Sequence, residues 1–247
     1  MFNFNNIDFS TLKAKVVKIE RPLIAPQKIS STNIEGRAAE VFHRKVSSSY
    51  NVDVEFYLFS STGMTLISDI RTLAGMLDTE APAKLIFNDE PDKYLMAIVE
   101  ETEIEKKGRY AIIKVSFKIL DPYSYAVTDD VYTYTTAGSK SITRKGNAES
   151  YPLITIEGLN SAGYIEIGNN GSTMRFSGSL LATQKLVIDS NLLTAYILKT
   201  DGTKVSVLNK LDKLDFPILG KGANTFKIAV SGATLTSCTM TCNSRWK

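Results

Sequence analysis

From Asn51 to Phe59 the chain alternates without a break: Val52, Val54, Phe56 and Leu58 fall on one face, Asp53, Glu55, Tyr57 and Phe59 on the other. A period of two is the mark of a strand with one face in the core, and no helix places those side chains together. The pattern returns from Ala111 to Leu120, where Ile113, Val115, Phe117 and Ile119 alternate with Lys114, Ser116 and Lys118. Shorter apolar runs at Leu85 to Phe87, at Tyr94 to Val99, and at Val16, Val17 and Ile19 before Arg21-Pro22 add further strands. Between the two alternating segments lies the one convincing amphipathic helix, with Leu66, Ile67, Ile70, Leu73, Ala74 and Leu77 at helical spacing and Thr65, Ser68, Asp69 and Thr72 opposite. Ser61 or Thr62 is placed to cap its start, and Asp78, Thr79 and then Pro82 stop it, because proline lacks the amide that a continuing helix needs.

Two stretches break this texture. Pro26 to Ser49 is polar, contains Gly36 and has few large apolar residues, so it cannot bury enough surface to fold on itself and reads as an extended hairpin or arm. After Asp121-Pro122 the apolar runs become short, at Leu153 to Ile156, Tyr164 to Ile167, Leu186 to Ile188, Tyr196 to Leu198, Val205 to Leu208 and Phe226 to Val230. Turn signals such as Asn170-Gly171, Asp201-Gly202, Gly220-Lys221-Gly222 and Ser231-Gly232 separate them. Short strands with no helical period predict a β-sandwich or jelly roll. The expected boundary between the halves lies from Tyr123 to Ala137.

Charge excludes little: residues 1–121 carry 16 basic and 17 acidic side chains and residues 122–247 carry 13 and 9, too even a balance to make nucleic acid or membrane a default partner. Met1 to Ser10 has no basic and apolar leader, and nowhere do eighteen apolar residues run together, so the expectation is a chain made and folded in a cytoplasm. Cys238 and Cys242 sit four residues apart in an expected strand, about 13 Å from each other. A disulfide wants Cα atoms within about 7 Å, so both are expected reduced.

The residues also withhold the usual chemistry. His43 is the sole histidine, beside Arg44 and Lys45 in the polar arm, which rules out a histidine-based triad and reads as a solvated side chain. The cysteines lack zinc-ligand spacing, and no glycine-rich loop joins a strand to a helix. Asp89, Glu90 and Asp92 lie in a polar turn rather than facing one another across a cleft, as a glycosidase or wall hydrolase would need. Glu100, Glu101, Glu103 and Glu105, answered by Lys106, Lys107 and Arg109, suit a solvated hairpin, and Tyr132, Tyr134, Tyr151, Tyr164 and Tyr196 suit core or interface positions. No catalytic residue, cofactor site or metal site is expected.

Several strings are more specific. Lys18-Ile19-Glu20-Arg21-Pro22-Leu23-Ile24-Ala25-Pro26, Val54 to Leu58, Leu73 to Leu77, Ala83 to Tyr94, Phe117 and Leu120-Asp121-Pro122-Tyr123 together resemble, in order and spacing, the distal tail proteins of long-tailed phages and prophages of Gram-positive bacteria. The second half resembles the galectin-like C-terminal domain of the same family by layout, from Asn147 to Pro152 through Gly220 to Ile228 to Arg245-Trp246. The resemblance implies a mainly β protein. Residues 1–130 would form an α+β ring-building domain, a β-sandwich with one packed helix and an arm at about 26–49, and residues 131–247 a galectin-like β-sandwich.

It further implies a virion structural protein, assembled in the host cytoplasm, forming a ring of six copies at the distal end of the tail tube. The ring would join the tube to tip or baseplate proteins, with the tube protein, tape-measure protein and tail-associated lysin as partners. Ile29, Ile34, Val41 and Phe42 are the candidate arm contacts to a neighbouring copy. Glu101, Glu103 and Glu105 are candidates for an acidic lumen past which DNA slides without specific binding. The alternative is a glycan-binding module that contributes to host adsorption, although 247 residues leave no room for the inserted sugar-binding module of some members.

Overall fold

The computed structural model describes residues 1–247, except for the side chain of Thr11, and the chain divides into two units, Met1–Val127 and Thr128–Trp246, with Lys247 grouped with the first. Unit 1 contains β1 (Phe2–Phe4), β2 (Ile7–Asp8), β3 (Ala14–Glu20), β4 (Gln27–Thr32), β5 (Val41–Ser47), β6 (Tyr50–Phe59), α1 (Gly63–Leu77), β7 (Ala83–Phe87), β8 (Lys93–Lys107), β9 (Tyr110–Ile119) and β10 (Ser124–Ala126). Its sheet is antiparallel in the order β2-β1-β7-β8-β9-β6-β3, with β10 also on β8, and β4 and β5 pair only with each other. The alternation read from the sequence appears here as register: Val52, Val54, Phe56 and Leu58 of β6 pair with Phe117, Val115, Ile113 and Ala111 of β9, and all eight are buried.

This sheet cannot be flat. In hydrogen-bonding order β1 and β6 stand four strands apart, about 19 Å in a planar sheet, yet the Phe2 ring lies 6.1 Å from Phe56 and 5.8 Å from Phe117. The sheet therefore curls until its two ends face each other, so that the layers of the sandwich are ends of one sheet, with Phe2, Phe4 and Phe9 filling the space between. Phe9 stacks on Phe2 at 4.3 Å.

Helix α1 closes this core. Thr62 caps it reciprocally: its hydroxyl accepts from the Thr65 amide at 3.2 Å and its own amide donates to Thr65 Oγ1 at 3.0 Å. Leu66, Leu73 and Leu77 are buried and Ile70 half-buried, whereas Ile67 and Ala74 stay exposed, so the covered stripe is narrower than the apolar pattern. Each buried leucine contributes about 1.5–3 kcal/mol.

Unit 2 contains β11 (Asp130–Tyr134), β12 (Gly138–Thr143), β13 (Leu153–Asn169), β14 (Ser172–Phe176), β15 (Lys185–Asp189), β16 (Thr194–Leu198), β17 (Lys204–Ser206) and β18 (Ala223–Cys242). Two long partners, β13 and β18, organise it. Their first-and-last halves, 153–157 with 237–241, join β11 on one side and β15, β16 and β17 on the other; their remaining halves, 165–169 with 226–230, join β14 and β12. One strand pair thus serves two layers, and Tyr134 of the first stacks on Phe226 of the second at 6.3 Å across the core.

The strands pass from layer to layer at register breaks after Glu157 and between Asn160 and Tyr164. Here Gly163 approaches so closely that a Cβ would fall 2.7 Å from Gly232 Cα, and Gly232 itself takes φ +61°. The buried Asn160 amide holds the bend, donating to Gly163 O at 3.1 Å and Gly178 O at 2.7 Å while accepting from the Gly163 amide at 2.9 Å. Ser231-Gly232, a turn signal in the sequence, is therefore a bend inside one continuous strand. A second polar anchor is the buried Arg144, which donates to Asp130 at 3.2 Å, Ser150 at 3.0 Å and Asn243 O at 3.0 Å. Cys238 and Cys242 are free thiols buried in β18.

Candidate assembly site

The arm is the β4–β5 hairpin. Pro26 and Ser48 close its base through a 2.8 Å backbone hydrogen bond, and the register runs Ile29 with Lys45, Ser30 with Arg44, then past a bulge Ser31 with Phe42 and Thr32 with Val41. His43 occupies the bulge, its Nε2 2.7 Å from Thr32 Oγ1. The hairpin lends almost nothing to a core: Leu23 at its root is 98% exposed, Ile29 66% and Phe42 62%, Ile34 and Val46 are also exposed, and Val41 is half-buried. A lone two-stranded hairpin is marginal in water, so this one is held by its root and by any surface that covers it.

The three candidate glutamates lie on β8, and the structure separates them. Glu101 and Glu103 point to the outer face of the sheet, opposite Ser116 and Lys114, while Glu105 pairs with Ile112 nearer the hairpin tip and meets Lys107 at 2.7 Å. Beside the first two, the structure gathers carboxylates that sequence reading did not assign: Glu20 of β3 and Asp53 and Glu55 of β6 share a shallow cleft of about 470 Å³ with Glu101, Glu103, Lys18 and Lys114. Register makes this grouping, since Glu20 pairs with Asp53, Asp53 with Ser116 and Ser116 with Glu101. The alternation of residues 51–59 already put Asp53 and Glu55 on the polar face; which strands lie alongside was not written locally. Lys114 reaches Glu103 at 3.3 Å, and neighbouring Glu100, bonded by Lys118 and by Asn51 at 2.7 Å, is held below the usual carboxylate range, first by the Lys118 hydrogen bond.

In unit 2 three of the tyrosines that a sugar could stack on carry cations. Arg245 lies 4.9 Å over Tyr151, Arg175 4.0 Å over Tyr164 and Lys204 4.9 Å over Tyr196. Among the described residues no group of three or more His, Cys, Asp or Glu is arranged to hold a metal, and no helix is long and apolar enough to cross a membrane.

Residues 2–119 match the model of the phage tail protein RIFT-related domain family. The fold of the whole chain is that of the SPP1 Dit protein, whose crystal structure is described as a paradigm of the hub adsorption apparatus in phages infecting Gram-positive bacteria. The TM-score is 0.81 at 15% identity, covering 100% of this chain and 98% of that one. Phage P2 baseplate structures in the activated conformation, with calcium or with strontium, align at a TM-score of 0.53 and 10% identity over 96% of this chain and 92% of theirs. No curated protein matches in sequence.

Proposed function

We propose that this chain is a structural component of a phage tail, an adaptor whose copies close into a ring at the distal end of the tail tube and receive tip or baseplate proteins. The observation that carries this reading is the end-to-end correspondence with the SPP1 Dit fold, joined to the tail-domain match over residues 2–119. Unit 1 builds the ring, and the segment 26–49 lies on the adjacent copy. A head-to-tail contact repeated around an axis closes when its rotation fits, and six copies follow from the family resemblance.

In this reading Glu101 and Glu103, reinforced by Asp53 and Glu55, face the lumen, where like charge lets phosphates slide past without capture. The tube protein, tape-measure protein and a tail-associated lysin or baseplate protein are the partners, in a virion tail assembled in the host cytoplasm. The chain acts without catalysis. The cation-covered tyrosines of unit 2 favour an adaptor over a glycan-binding module, since a sugar would have to displace a guanidinium or ammonium group from each ring face.

Light scattering on the full chain tests the proposal. The expected result is a closed oligomer that dissociates when the arm is shortened to a tight turn between Ser30 and Ser47, with circular dichroism unchanged. A wild type that stays monomeric at high concentration overturns the ring, and a shortened chain that runs as the same closed oligomer removes the arm from the mechanism.

A further inference from the structure

We propose that the arm's acceptor on the neighbouring copy is the apolar groove along the flank of helix α1, between its C-terminal half and strand β8. This inference rests on the ring reading above and adds the site at which the contact is made.

The groove has a structural cause. Helix α1 packs over β9, so the adjacent β8 is left partly uncovered on its core side. Thr102 and Ile104 pair with the buried Val115 and Ile113 and share their face of the sheet, yet Ile104 is 46% exposed. On the helix side the residues at this flank are Ala74 and Gly75, too small to close the gap; a Cβ built on Gly75 would meet nothing within 4 Å. The result is a groove of about 460 Å³ lined by Ala74, Gly75, Val99, Thr102 and Ile104 with Asp78 at one end.

That end is electronegative. The last turn of α1 has no basic residue and is followed by the exposed carboxylates Asp78 and Glu80, which add to the negative end of the helix dipole. A complementary occupant needs a pair of apolar side chains and a positive charge beside them on a narrow element. One face of the arm presents this set: the register puts Ile29, Phe42 and Lys45 on the same side of the β4–β5 hairpin, with Ile29 directly opposite Lys45. Within one copy the arm and the groove are both open to solvent. A single head-to-tail contact, arm of one copy into groove of the next, covers both at once, and repeats in the same sense at every subunit of a closed ring.

Cross-linking and groove filling test the placement together. Phe42→Cys and Ile104→Cys are made in separate full-length preparations, mixed and oxidised; Cys238 and Cys242 are buried and do not compete. The expected product is a disulfide-linked dimer containing one chain of each kind. In parallel Gly75→Met, which replaces a helical glycine with a good helix former and fills the groove, is expected to keep or raise the melting temperature at a concentration where both proteins are dissociated, while raising the concentration needed for assembly at least tenfold. Phe42→Ala should do the same, and the double variant should be little worse than either single one, because both remove one contact. A wild type that never assembles sinks the ring reading and this inference with it. A wild type that assembles, with no mixed dimer and with Gly75→Met assembling normally, overturns the groove alone and leaves the ring standing. A Phe42→Cys, Ile104→Cys double variant that closes only within its own chain also overturns it.

Discussion

Replacing Leu73 by alanine asks whether helix α1 is part of the core of unit 1 or merely rests on it. Leu73 is 2% exposed, on the side of α1 that faces the curled sheet, in line with the buried Leu66 and Leu77. Truncation removes three carbons, worth about 2.4 kcal/mol at about 0.8 kcal/mol per buried group. A sealed cavity would raise the cost toward about 5 kcal/mol. Leu73 also borders the groove between α1 and β8, so the vacated space opens to water and the neighbours can relax into it. The expected loss is therefore about 2–3 kcal/mol, which for a unit of this size lowers the melting temperature by about 6–15 °C. The helical band in circular dichroism is the right probe, because α1 is the only α-helix among the described residues. Protein concentration must be held constant, since the proposed assembly would stabilise the folded chain by mass action. Met64→Ala, at a position 85% exposed on the same helix, is the control and should cost less than about 0.5 kcal/mol. If Leu73→Ala melts with the wild type, or Met64→Ala costs as much, the packing argument is wrong.

Three further outcomes follow from the same physics. Gly163→Ala should cost at least about 3 kcal/mol, because its Cβ would collide with the backbone of Ser231 and Gly232 rather than with a movable side chain, and a urea midpoint near wild type would contradict this. Burial pushes the Cys238 thiol up to about 12 and raises Cys242 as well, so a thiol reagent at pH 8 should label neither cysteine in the native protein and both in denaturant. Hydrogen bonds from Lys227 and then Arg175 hold the Glu166 carboxyl below its ordinary 4.5, so its contribution is present above that pH and disappears as pH falls through the lower folded value. Glu166→Gln should accordingly lose stability at neutral pH and converge on wild type in acid; a stability gap that persists unchanged at the lowest pH would refute the assignment.

What could be read from the sequence is what one segment decides alone. The alternation of residues 51–59 and 111–120 specified β6 and β9, and the period of residues 66–77 specified α1 with Ser61 or Thr62 as its cap, of which the structure uses Thr62. Phe2 and Phe4 belong to a three-residue strand, too short to show a period, yet they fill the centre of the curled sheet because strands far apart in order close around them. The expected strands at 153–156 and 164–167 are halves of the one strand β13, and Gly158 and Gly163 mark its bend rather than its ends. A glycine that frees the backbone for a turn and a glycine that makes room for a crossing strand look alike until the partner is known. The acidic cleft illustrates the same limit: Glu101 and Glu103 were visible as a run, but Glu20, Asp53 and Glu55 joined them only through register across β3, β6, β9 and β8.

The arm differs from every other element of unit 1 in that its removal costs the fold nothing obvious. It shares no ladder with the curled sheet, and its large apolar side chains lie in solvent, so in the proposed ring substitutions such as Phe42→Ala would act on assembly without passing through the stability of the core. The flank of α1 is the opposite case: the groove exists only while Leu66, Leu73 and Leu77 hold the helix on the sheet, so a core variant there weakens fold and contact together. In the proposed ring this asymmetry gives assembly a direction. The rigid partner is in place as soon as unit 1 folds, while the hairpin is marginal alone and gains its order on docking, so part of the contact energy is spent on fixing it. Contacts formed one at a time are then weak and reversible. Closure is what makes them persist, because in a complete ring every arm and every groove is occupied at once, and no subunit leaves without breaking two such contacts.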